Sequence, residues 1–172
     1  MYSVLDIALF VINEYNREVD KVFPYYDKDF DISAEDFYIT ESKLIMLLLL
    51  IQAFNYKTRN EKLFFEHIYL SSVGKGFFIG ELKRLYEPLV ARKNQMICFV
   101  KNEYYIPKQL DELTKHIIRD MLGTFGGYEE WWLKSEIFNF RSTQEALSNG
   151  TFCYNNWQIL VEDVEKFLKK GK

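Results

Sequence analysis

Three aspartates at alternate positions, Asp27, Asp29 and Asp31, have the spacing that opens a calcium loop. Such a loop needs glycine at its sixth position for a sharp turn and glutamate at its twelfth for bidentate ligation. Ile32 and Tyr38 stand at those positions, so a cation would be poorly enclosed. The three acids are therefore expected to face water or a partner. Gly74-Lys75-Gly76 has the look of a phosphate cradle, but Tyr69 replaces the first glycine of a P-loop and Gly76 its hydroxyl residue. The dinucleotide fingerprint fails as well, with Ile79 where its third glycine belongs. These glycines are read as turn residues.

His67 and His116 are the only histidines. His116 and Asp120 are spaced to share one face of a helix, yet no third ligand or acid–base partner accompanies them. Cys98 and Cys153 are too few for a disulfide scaffold and sit beside no second thiolate at zinc spacing. They are read as free thiols in a reducing cytoplasm. No serine or cysteine occupies a nucleophile elbow. The expectation is a protein without metal, cofactor or catalytic centre. Lys83, Arg84, Arg92 and Lys93 form a modest basic cluster, but Glu81 and Glu87 interrupt it and the net charge is −3, which disfavours nucleic acid and anionic lipid as partners.

One segment is unusual. Between Glu18 and Tyr38 the chain carries seven acids, two lysines and six aromatics, with Pro24 and no sustained period. The pattern predicts a long loop with one helical turn, and loops beyond ~12–15 residues tend to be functional. Aromatic side chains supply anchoring area, while acids select a basic partner and speed encounter. Phe23, Tyr25, Tyr26, Asp27, Asp29, Phe30 and Asp31 are the candidate partner-binding residues.

The elements that must position this loop are helices. Ser3 caps a helix over Ser3 to Tyr15, with Asp6 three residues on and Val4, Ile7, Ala8, Val11 and Ile12 on one face. Residues Lys43 to Phe54 form the most apolar run, rich in good helix formers, with Thr40 as N-cap and Ile39 and Leu44 spaced as a hydrophobic staple. A helix apolar all round is buried all round, and Leu44 to Ile51 is far short of the ~20 residues that cross a bilayer. Asn55 to Asn60 reads as a polar connection, Glu61 to Leu70 as either a short helix or a strand entry, and Glu81 to Tyr86 as a short helix. Gln95 to Ile106 predicts a β-hairpin. Further helices are expected over Leu110 to Leu122, ending at Gly123, and over Tyr128 to Phe138. Ser142-Thr143-Gln144-Glu145 reads as a capping box opening a short helix, and a final helix starts near Trp157.

The expected fold is a mainly α-helical single domain, 1–172, built around a buried central helix with a small β-hairpin. The 172 residues suit one domain, and 48% hydrophobic content excludes a wholly disordered chain. The N-terminus shows no basic, apolar leader, so a cytoplasmic location is expected.

This order of elements resembles the Panacea domain family, which includes SocA-like antitoxins. Tyr2 to Tyr15 is similar to the family's opening helix, and Leu44 to Ala53 lies over its central Leu-Gln-Lys-Leu-Leu-Tyr-Phe motif. Leu63-Phe64 resembles a Leu-Phe pair, and Gly74 to Tyr86 a glycine turn with its following helix. Ile45, Met46 and Leu49 replace the motif's Gln, Lys and Tyr, so recognition is expected to have moved to the acidic loop. The resemblance implies a non-enzymatic antitoxin, encoded on a mobile element, that neutralises a toxin by direct binding or delivers it to a bacterial protease. Two alternatives stay open: a phage-type acidic inhibitor seated in the basic groove of a host defence nuclease, and an enzyme whose site is scattered along the chain.

Overall fold

The computed structural model describes residues 1–23, 28–71, 76–84 and 108–170. Among them are six α-helices, two short 3-10 helices and one two-stranded hairpin. Helix α1 spans Val4–Val22. Its start is a full capping box: the Ser3 hydroxyl accepts the Leu5 N–H, and the Asp6 carboxylate accepts the Ser3 N–H. Val4, Ile7, Ala8, Val11 and Ile12 form its buried face. The helix continues through Glu18–Val22, which the sequence assigns to the loop. Two i,i+3 ion pairs, Glu14–Arg17 and Glu18–Lys21, support the extra turns. Pro24 ends them, because the residue before a proline is pushed out of the helical region, and Phe23 has left it at ψ 64°.

Helix α2, Glu41–Arg59, is the core. The Thr40 hydroxyl accepts the Lys43 N–H, and Ile39 and Leu44 are both buried, as the staple requires. Every side chain from Leu44 to Ile51 is at most 1% exposed. The helix runs five residues past Phe54 and stops at Asn60 in the left-handed region. The expected polar connection is therefore the last turn of α2, tied to the C-terminal part of the chain by a Lys57–Glu165 ion pair. Buried amides on α2 also organise the next stretch of chain: Gln52 accepts the Leu63 N–H at 2.7 Å, and Asn55 donates to the Glu61 carbonyl. That ties down the irregular 61–64 segment and inserts Phe64 into the core.

The β element lies at 69–78. Strands β1, Tyr69–Leu70, and β2, Phe77–Phe78, pair antiparallel with Tyr69 opposite Phe78. The hairpin expected at 95–106 lies outside the described residues. A 3-10 helix, Gly80–Arg84, occupies the start of the short helix expected from 81. Helix α3, Glu112–Phe125, passes through Gly123 without stopping and ends at Gly126, whose N–H donates to the Leu122 carbonyl. Helix α4 covers Glu130–Phe138 and α5 covers Arg141–Ser148. Ser142 is not the cap of α5. It lies inside the first turn, and its N–H is satisfied by the Asp163 carboxylate of α6, Trp157–Lys170, at 2.8 Å. Helices α1, α3, α4 and α6 pack around α2. Among the described residues no helix is long and apolar enough to cross a membrane.

Asp111 joins three separate parts of this body. It caps α3 by accepting the Thr114 N–H, accepts from the two terminal guanidinium nitrogens of Arg59, and accepts the Tyr2 hydroxyl. The Arg59 guanidinium, helped by the cap and Tyr2 bonds, holds its carboxyl well below the usual range. A depressed folded-state value means stability that is present above the ordinary carboxylate range near pH ~4 and is lost as pH falls below it. Because the Asp111 side chain is 47% exposed, solvent screening limits the effect to on the order of 1 kcal/mol. Urea midpoints measured between pH 7 and pH 2 should therefore fall less steeply for Asp111→Asn than for the unmodified chain. Parallel slopes would show that this carboxylate is not linked to folding.

Candidate partner-binding surface

The segment after α1 is stapled back along that helix. The Asn16 side chain accepts the Ile39 N–H, the Tyr38 hydroxyl donates to Asp20, and Phe23 stacks on Phe37 at 4.3 Å with nearly parallel rings. Between these anchors Lys28–Asp31 turns, and a 3-10 helix, Ala34–Phe37, is capped by Asp36 accepting the Ser33 N–H. Asp31 holds φ 52°, a conformation aspartate tolerates better than most residues. Three return contacts therefore order the described part of the loop against the body.

Its aromatics do not all tuck inward. Phe30 is 73% exposed and Val22 70%, with Phe23, Ile32 and Phe37 also exposed. Of the twelve exposed large apolar side chains among the described residues, five fall between positions 22 and 37. Asp29 and Asp31 are exposed beside Phe30. Of the predicted contact residues, the structure thus brings Asp29, Phe30 and Asp31 together on one turn and stacks Phe23 on the returning arm of the loop. Tyr25, Tyr26 and Asp27 lie outside the described residues.

Next to this loop is a groove of about 520 Å³ between the second half of α1 and the end of α3. Tyr15, Val19, Val22, Phe23 and Leu122 give it apolar walls. Behind Tyr15 and Gly126 lies Lys43, 8% exposed, whose ammonium donates to the Tyr15 hydroxyl at 2.9 Å and to the Gly126 carbonyl at 2.7 Å. Sequence patterning missed this groove because α1 and α3 come together over 105 residues of separation, as in the Arg119–Glu14 contact. The signal that could have found it is the glycine cluster at 123, 126 and 127. Trp131 on α4 is 70% exposed, and no pattern in the sequence marks it as a contact residue.

Compared with family models, curated proteins and solved structures, the chain matches none. His116 and Asp120 do face one another at 3.2 Å, but both are exposed on α3, and the pair is a surface contact. Cys153 lies 3.5 Å from His67, where burial pushes the thiol up and away from the nucleophilic thiolate. Among the described residues no three His, Cys, Asp or Glu side chains are placed to hold a metal ion. Gly74, Lys75, Cys98, Arg92 and Lys93 lie outside the described residues, as do the side chains of Lys83 and Arg84.

Proposed function

We propose that this chain is a cytoplasmic, mobile-element-encoded binding protein of the antitoxin type, a divergent relative of the Panacea domain, that neutralises a protein partner by direct contact. It acts by masking and not by chemistry. The observation that carries this is the concentration of exposed apolar side chains in the acidic 22–37 segment, with Phe30 outermost. Several exposed apolar side chains gathered in one acidic segment are the kind of surface that anchors a protein partner, with Phe30 at 73% exposed. The staples from Asn16, Asp20 and Phe23 reduce the ordering cost of binding. Acids around the anchors favour a partner with a basic rim.

The test starts with capture of the partner from the source cell, followed by titration. Phe30→Ala should weaken binding by about 2 kcal/mol or more, roughly thirtyfold, as expected for a central aromatic anchor. Asp29→Asn with Asp31→Asn should weaken it more at low salt than at high salt, because exposed charges are screened. Asparagine is chosen since it tolerates the positive φ at position 31. Unchanged affinity for both variants at low salt would remove this surface from the interface.

A further inference from the structure

Of the three tryptophans, only Trp131 stands clear of the body. Trp132 packs on Tyr128 at 4.4 Å and on Phe167 at 5.4 Å, and Trp157, 6% exposed, has the Lys62 ammonium 5.6 Å from its ring. Trp131, in the first turn of α4, is 70% exposed and meets no other ring and no cation among the described residues. The residue that starts this helix is equally unengaged. Glu129 is the N-cap of α4, yet its side chain accepts no cap hydrogen bond, and it is exposed. Among the described residues it makes no ion pair. An unpaired carboxylate therefore stands two residues before an uncovered indole.

This corner adjoins the acidic aromatic segment. The Thr40 hydroxyl, at the end of that segment, donates to Glu130, and the Lys43 ammonium bonds the Gly126 carbonyl just ahead of α4. Phe37, 42% exposed, lies three residues from the Thr40 contact, and Trp131 lies one residue from it. Both fit within a single partner footprint of about 800 Å². Charge over the two stretches is one-sided. Residues 28–41 and 129–134 carry seven acids against two lysines, a net of −5, and counting the buried Lys43 still leaves −4. A guanidinium suits such a corner, being flat enough to stack on an indole and able to give two parallel N–H bonds to a carboxylate, which an ammonium cannot. We infer that the partner meets this surface with an arginine-rich basic segment, one arginine stacking on Trp131 and bonding Glu129. The inference rests on the binding role proposed above and carries that surface from the loop onto α4.

The probes are hexa-arginine and hexa-lysine amides, titrated into the full chain at low salt and followed by calorimetry. Both peptides carry the same charge, so attraction by the acidic surface alone would bind them equally. Hexa-arginine should saturate and bind about threefold or more tighter, the difference expected from an exposed cation–π contact. Trp131→Leu keeps an apolar side chain but removes the ring, and should bring the two peptides to parity, while Trp131→Phe should retain part of the preference. Glu129→Gln should weaken hexa-arginine about twofold or more. Both positions are exposed, so the variants should keep the thermal midpoint of the unmodified chain. The inference is overturned if hexa-arginine does not saturate, if the unmodified chain binds both peptides alike, or if the preference survives Trp131→Leu. Self-association that Trp131→Leu abolishes would assign this face to a second copy and overturn it as well. Phe30→Ala should leave the arginine preference intact. Loss of that preference beside an intact Phe30 effect on the captured partner removes α4 alone from the interface, and the reverse result removes the loop anchor alone.

Discussion

Leu48→Ala is expected to cost about 2–5 kcal/mol, the loss of buried methyl groups plus the cavity they leave. Leu48 is 0% exposed at the middle of α2, a helix packed on by α1, α3, α4 and α6. With neighbours on every side, no single element can collapse into the gap without losing contacts elsewhere. A domain of this size has roughly 5–15 kcal/mol of stability in total, so this one change should remove a large fraction of it. The drop in Tm should be about 5–15 °C. Leu113→Ala is the comparison that isolates burial: it is the same chemistry on α3 at a site 46% exposed, expected to stay within about 0.5 kcal/mol. Urea unfolding of the two variants side by side checks this. Equal effects would mean that α2 is not the structural centre.

Phe125→Ala should be at least as damaging, at about 3–5 kcal/mol. Phe125 is 1% exposed at the end of α3 and stacks on Phe167 of α6 at 5.3 Å, with rings 7° from parallel. Phe167 in turn meets Trp132 of α4 and Phe140, so one side chain supports the junction of three helices. Phe125→Leu should lose less, since most of the volume remains and only the ring–ring geometry is removed, a contribution of about 0.5–1.5 kcal/mol. Thermal unfolding followed by near-ultraviolet circular dichroism reads both the stability and the tryptophan environment. An alanine variant as stable as the leucine variant would show that the cluster is loosely packed.

The helices were legible where local chemistry specifies them. Ser3 with Asp6 and Thr40 with its staple mark two helix starts correctly, because a cap is read within four residues of sequence. The burial of Leu44 to Ile51 was equally plain, since an all-round apolar helix has no alternative. Errors came where the decisive contact is distant or not hydrophobic. The extension of α1 rests on Glu14–Arg17 and Glu18–Lys21, charged pairs that leave no apolar period. The start of α5 was misplaced because its free N–H is satisfied by Asp163, 21 residues away on another helix. At the candidate surface, composition singled out the acidic aromatic segment, but which of its rings turn outward depends on how Tyr38 and Phe37 are tied to α1. The groove depends on the meeting of two helices, which no window of sequence contains.

The complete burial of Leu44 to Ile51 on α2 also bears on how the chain is made. When synthesis has just passed Arg59, Leu44 to Ile51 has α1 beside it and little else. Helices α3, α4 and α6 are still to come, the last ending only at Lys170. For most of its emergence the nascent polypeptide therefore carries an uncovered greasy rod, the kind of surface that chaperones hold and that aggregates at high concentration. Translation speed and chaperone supply thus bear on the yield of this protein as directly as the strength of its finished core.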